Sequence, residues 1–145
     1  MEGNKLISLL EVLEIGGARR TLCQMEGRIE APNWLADGRL LYNREGRIWI
    51  YDGQTHRLLD TGAAVHCNND HVPSPDGRYL GISENVPGEG SKVFVVPMGG
   101  GPAREVTPLA PSYLHGCSPD GQTLAYCACR DGEYAQCEVA NPNGP

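Results

Sequence analysis

Asp70, His71 and His115 are the side chains of this sequence whose types suit a divalent cation, because imidazole and carboxylate together favour zinc or manganese. Around them stand Glu30 and Asn33 upstream, Asn68 and Asn69 alongside, and Tyr113 two residues before His115. Each Asn carries a donor and an acceptor on one amide, and Tyr113 and Trp34 offer ring faces for stacking. These residue types support three uses. They can tie down strand ends through side-chain to backbone hydrogen bonds, bind a sugar, peptide or other small ligand, or hold a metal through His71 and His115 with Asp70. His66 precedes His71 by five residues and so falls on the opposite face of a strand, which separates the two as ligands of one ion. No catalytic nucleophile is indicated. There is no Gly-x-Ser-x-Gly elbow, and Gly99-Gly100-Gly101 sits between strand patterns rather than before a helix.

The polar clusters share a position: each comes just before the same turn signal. Ser74-Pro75-Asp76-Gly77 recurs as Ser118-Pro119-Asp120-Gly121, and a degraded copy stands at Leu35-Ala36-Asp37-Gly38. An apolar run follows each: Leu40-Leu41-Tyr42, Tyr79-Leu80-Gly81-Ile82 and Thr123-Leu124-Ala125-Tyr126. Asp-Gly between apolar runs codes for a tight hairpin, since Gly accepts positive φ and Asp tolerates it. Pro ahead of it ends the preceding strand. A spacing of roughly 40 residues with strand-turn-strand content matches a four-stranded propeller blade. The turn aspartates are therefore read as builders of the fold.

The expected fold class is all-β, a β-propeller of about three four-stranded blades in one half-propeller domain over 1–145. Residues 6–26 read as two outer strands of a split blade. Residues 27–62 and 63–110 form complete blades, the second with a longer loop at Val86-Pro87-Gly88-Glu89-Gly90. Residues 111–145 form a partial blade with three strands. Propellers close with four to eight blades, so an arc of three leaves apolar faces and strand edges in water. A homodimer, six blades around a two-fold axis with the split blade completed by strand exchange, removes that exposure. Glu133 to Val139 competes with the incoming pair for the third-strand position.

The totals narrow the function. Nineteen Gly and eleven Pro in 145 residues favour many turns over helices. A net charge of −6 without a basic stripe argues against nucleic acid as a partner. Leu6 to Ile15 is interrupted by Ser8, Glu11 and Glu14, so it reads as neither a secretory signal nor a membrane span, and the expected location is the cytoplasm. The six cysteines, Cys23, Cys67, Cys117, Cys127, Cys129 and Cys137, then read as reduced thiols. They lack paired zinc-knuckle spacing.

The turn motifs, together with Glu30-Ala31-Pro32-Asn33-Trp34, Asp60-Thr61-Gly62, Cys67-Asn68-Asn69-Asp70-His71 and Pro111-Ser112-Tyr113-Leu114-His115-Gly116, resemble the TolB-like six-bladed propeller family with its WD40-like repeats. The resemblance covers nearly the whole chain and looks like the first half of such a propeller. Leu35-Ala36 departs from it where Ser-Pro is usual, and Cys117 where an aromatic is common. In such a ring the inner strands line a channel, and Glu30, Asn33, Asn68, Asn69, Asp70, His71, Tyr113 and His115 converge on its funnel. The resulting expectation is a non-catalytic module that binds a small molecule or a protein, with no resident cofactor. The alternative is a metal-assisted lyase or hydrolase acting on a carbohydrate, with His71 and His115 as metal ligands, as in related propeller lyases.

Overall fold

The computed structural model describes residues 5–142, without the side chains of 134–139. It contains thirteen strands and, among the described residues, no helix. Strands β1 (Ile7–Leu13) and β2 (Arg19–Glu26) form a two-stranded antiparallel sheet. Strands β3 (Ile29–Trp34), β4 (Leu40–Arg44), β5 (Arg47–Tyr51) and β6 (His56–Leu58) form a four-stranded meander. The next meander is β7 (Cys67–Pro73), β8 (Tyr79–Val86), β9 (Gly90–Pro97) and β10 (Arg104–Glu105). Strands β11 (Ser112–Cys117), β12 (Leu124–Arg130) and β13 (Glu133–Ala140) close the series as a three-stranded sheet. The third-strand place beside β12 is thus taken by β13. The expected long loop at 86–90 is instead a short tip on a longer hairpin: Val86 pairs with Gly90, so the added residues extend β8 and β9.

The sheets stack face to face, and strict alternation along their middle strands explains why. On β4, Leu40 and Tyr42 point back to β1 and β2, while Leu41 points forward to the next sheet. On β5, Ile48 and Ile50 face forward, and Trp49 and Tyr51 face back. On β9, Val93 and Val95 face the third blade while Phe94 and Val96 face the first. A strand apolar on both faces is buried on both. Each fully covered Leu or Ile contributes roughly 1.5–3 kcal/mol. The outer face of β1 has no such cover: Ile7, Leu9 and Leu13 are exposed.

The repeated turn is held by side chains as well as by glycine. Gly77 and Gly121 take positive φ, 71° and 68°. Ser74 N donates to Tyr79 O and Gly77 N to Ser74 O, so four residues separate the paired ends. The Ser74 hydroxyl donates to Asp76 Oδ1 at 2.8 Å and accepts from Tyr79 N, while Asp76 Oδ1 accepts from Arg78 N. The Ser74 and Arg78 hydrogen bonds hold the Asp76 carboxyl down at about 2. Ser118 and Asp120 repeat the arrangement with Gln122 and Thr123. Where Leu35 replaces the serine, the closing bond moves in by one residue, from Leu35 N to Arg39 O.

Candidate functional site

The first strand of each of the three larger sheets carries a bulge. Alternation would place one residue opposite Tyr42, but Glu30 pairs with Asn43 and Asn33 with Leu41, so Ala31 and Pro32 share that place. Ala31 takes φ 49°, a conformation uncommon for a non-glycine residue. Between Cys67, paired with Glu84, and His71, paired with Ile82, three residues bulge: Asn68, Asn69 and Asp70. Between Leu114 and Gly116 the extra residue is His115. Bulges bend a strand and re-aim its side chains, and they concentrate next to active sites. Strand β7 packs against both β3 and β11, so the three bulges lie side by side.

The eight residues singled out from sequence sit on or beside these bulges, with different surroundings. Asn69 and His115 are exposed, while Glu30, Asn33, Asn68, Asp70 and Tyr113 are half-buried. Glu30 lies 3.7 Å from the Arg28 guanidinium. The Asn33 amide donates to the Ala31 carbonyl at 3.1 Å and across the seam to His71 O at 3.3 Å. Asn68 Oδ1 accepts from Asp70 N at 2.8 Å. Burial pushes the Asp70 carboxyl up, and nearby His115, from the next sheet, opposes that. His71 is 3% exposed, and burial pushes its imidazole down to about 4, partly offset by the Ala31 carbonyl. Neither of its ring nitrogens makes a hydrogen bond of ordinary geometry. Its cross-strand neighbour Ile82 faces the first blade, so His71 lies in the seam between blades, whereas His115 stands at the surface. Among the described residues, no group of three or more His, Cys, Asp and Glu is arranged to hold a metal ion.

Other polar side chains fix the inner strands, and the sequence reading did not single them out. Asn43, buried on β4, donates to the carbonyls of Cys67 and Asn68, at 2.8 and 2.6 Å, and so holds the second bulge from the first blade. Its Oδ1 accepts from Gly46 N. Ser83 Oγ accepts from Leu114 N at 2.8 Å, and Ser91 Oγ donates to Ser112 O at 2.9 Å. The Glu84 carboxylate accepts from the backbone of Val65 and His66. Their signal was present: polar residues in the interior of second strands, right after Leu40-Leu41-Tyr42 and Leu80-Gly81-Ile82, where a purely apolar strand continues otherwise. At the turn end of the inner strands, Trp34, Leu35, Asp37, Ser74, Asp76 and Met98 line an open groove of about 620 Å³. Trp34 is 57% exposed there.

Radially stacked antiparallel meanders with bulged inner strands side by side define a sector of a β-propeller. Its fold matches that of solved TolB-type structures. No protein-family model matches the chain. It is 40% identical over 134 residues to the uncharacterized protein Atu1656 of Agrobacterium fabrum, a match over 89% of this chain and 46% of that protein. The solved structure of a TolB candidate from Agrobacterium tumefaciens matches with a TM-score of 0.83 and 39% identity, over 91% of this chain and 49% of the other. TolB from Acinetobacter baumannii, 20% identical, matches with a TM-score of 0.67 over 88% and 33%, which bears on the fold alone. The chain spans about half the length of the relative it matches at 40% identity.

Proposed function

We propose that this chain is a non-catalytic binding module of the TolB-like propeller type, which takes a small-molecule or protein ligand at its inner-strand bulges. The observation that carries the reading is the alignment of three bulges on adjacent inner strands. Asp70 lies near His115 of the next sheet, and Asn33 reaches across the seam to the His71 carbonyl. The side chains mix donors, acceptors and one half-buried carboxyl, which suits recognition of a polar ligand more than nucleophilic chemistry.

A second copy of this chain completes the ring in this reading. Support comes from the uncovered apolar face of β1. Since β13 already holds the third place, the joint needs either a five-stranded blade or displacement of β13. Equilibrium sedimentation at micromolar concentration is expected to give twice the chain mass, and a monomer mass would refute the dimer. For the site, thermal shifts of the full chain are compared with those of Asp70→Ala and His115→Ala across sugars, short peptides and divalent cations. A ligand that stabilises the parent and not the variants is expected. Equal stabilisation of all three would place binding elsewhere.

A further inference from the structure

We infer that the groove at the turn ends of the first two blades is a carbohydrate site, which takes a neutral oligosaccharide with one ring stacked on Trp34. Pairing across the hairpins makes Trp34 equivalent to Pro73 and Cys117, since the three stand opposite Leu40, Leu80 and Leu124. The turn therefore does not itself require an aromatic residue at this place. Pro73 and Cys117 are half-buried, whereas Trp34, the largest of the three, is exposed. Its indole presents a broad apolar face and one N–H donor, and a ligand that covers the face recovers the hydrophobic free energy lost by leaving it in water. Leu35 and Met98 supply further apolar lining, and Asp37, Arg39 and Asp76 the polar lining. The groove's volume of about 620 Å³ falls within the roughly 300–1,000 Å³ of small-molecule sites.

The charges decide the class of ligand. Asp37 is matched by Arg39, whose Nη2 lies 2.6 Å from its Oδ2 and whose backbone N–H donates to its Oδ1. Asp76 is matched in the same way by Arg78. Each carboxylate is neutralised by its own arginine, so the groove offers no excess charge to an ammonium, a uronate or a phosphate. Hydrogen-bonding capacity survives the pairing. A carboxylate has about four lone-pair sites and a guanidinium five donors, and neither pair spends them all. An apolar ring face beside charge-balanced donors and acceptors matches a neutral sugar, which carries C–H groups on its faces and hydroxyls around its edge.

Length and access follow from the surroundings. Trp34 also lines a second hollow, of about 270 Å³, with Arg20, Thr21 and Asp52, again one charge of each sign. A ligand lying across the indole meets polar groups on either side, so several linked sugars fit better than one. Both hollows open between neighbouring sheets of this chain, at the ends of strands rather than on the outer face of a terminal sheet. Closing the ring with a second copy leaves them accessible. The site lies beyond the bulges along the inner strands and does not rest on binding there.

The test is calorimetric titration of the full chain with cellopentaose, maltopentaose and penta-N-acetylchitopentaose, against pentagalacturonate and pentalysine as charged probes. At least one neutral pentasaccharide is expected to bind, and both charged probes to bind more weakly. Trp34→Ala should weaken that binding about tenfold, while Trp34→Phe, which keeps a smaller ring, should lose only part of it. Asp76→Asn, which unbalances the pair with Arg78, should weaken it less than Trp34→Ala. No binding of any neutral probe, preference for a charged one, or equal binding by parent, Trp34→Ala and Trp34→Phe would overturn the assignment. So would loss of the sugar in Asp70→Ala, which would place it at the bulges instead.

Discussion

The seam between the first and second blades and the seam between the second and third are built on the same register with opposite choices of bulk. Pairing within each sheet makes Leu41 equivalent to Gly81, Asn43 to Ser83, and His71 to Leu114. In the first seam the forward-facing position is filled from behind by Leu41, and the following inner strand contributes His71. In the second it is Gly81, and Leu114 of the following inner strand occupies the space: a Cβ on Gly81 would lie 2.6 Å from Leu114 Cδ2. The lesson is that a blade interface conserves total volume more than residue type, with the bulk free to come from either side. His71 then reads first as the occupant of a packing position, whose polarity is left over rather than displayed.

That contrast breaks most visibly at Leu114. It is 1% exposed, and Leu114→Ala should cost about 4 kcal/mol, transfer loss plus a cavity above Gly81. Gly81→Ala alone should cost roughly 2 kcal/mol by overpacking. The double variant, with the new methyl entering the space Leu114 vacates, is expected to be more stable than Leu114→Ala by chemical denaturation. A double variant that simply sums the two losses would mean that Gly81 and Leu114 do not share one space.

His71 gives the next largest effect, and it depends on pH. Its imidazole is held at about 4 in the fold, below the ordinary 6.5, so the unfolded chain binds the proton more readily. The neutral side chain's full stability is present above pH 6.5 and is lost as pH falls through 4, by about 3 kcal/mol at most. His71→Leu places in the first seam the residue type that the second seam uses. The difference in stability between parent and variant should therefore widen as pH falls from 6.5 to 4 and stay flat above 7. A parallel pair of stability curves over that range would show that His71 is not desolvated as the seam requires.

The sequence revealed these interfaces unevenly. Strand order, the three turns and the burial of both faces of β5 could be read directly, because alternation and Ser-Pro-Asp-Gly are local signals. The bulges were not foreseen. A bulge is a mismatch of length between two strands, and residues such as Asn68 and Asn69 carry no local mark saying whether they pair or loop out. The candidate residues stand out as a set nonetheless, because polar side chains just before each turn break the apolar pattern. What their types could not convey was depth. His71 and His115 read alike in the chain, and only the neighbouring sheet decides that one lies in a seam and the other at the surface.

The smallest effect concerns the polar clamps. Ser83 is fully buried, and its hydroxyl is the acceptor for Leu114 N. Ser83→Ala leaves that amide without its acceptor in a seam shielded from water, which should cost roughly 1.5 kcal/mol. The first seam works in the opposite sense, since Asn43 donates to carbonyls of β7 rather than accepting from an amide. Buried carbonyls tolerate a missing partner better than buried amides do. Hydrogen exchange separates the two cases without relying on global stability. In Ser83→Ala the Leu114 amide should lose protection well beyond its neighbours on β11, whereas Asn43→Ala should raise exchange across the second bulge without singling out one amide. If Leu114 kept its protection in Ser83→Ala, the hydroxyl would be packing in the seam rather than holding the third inner strand in place.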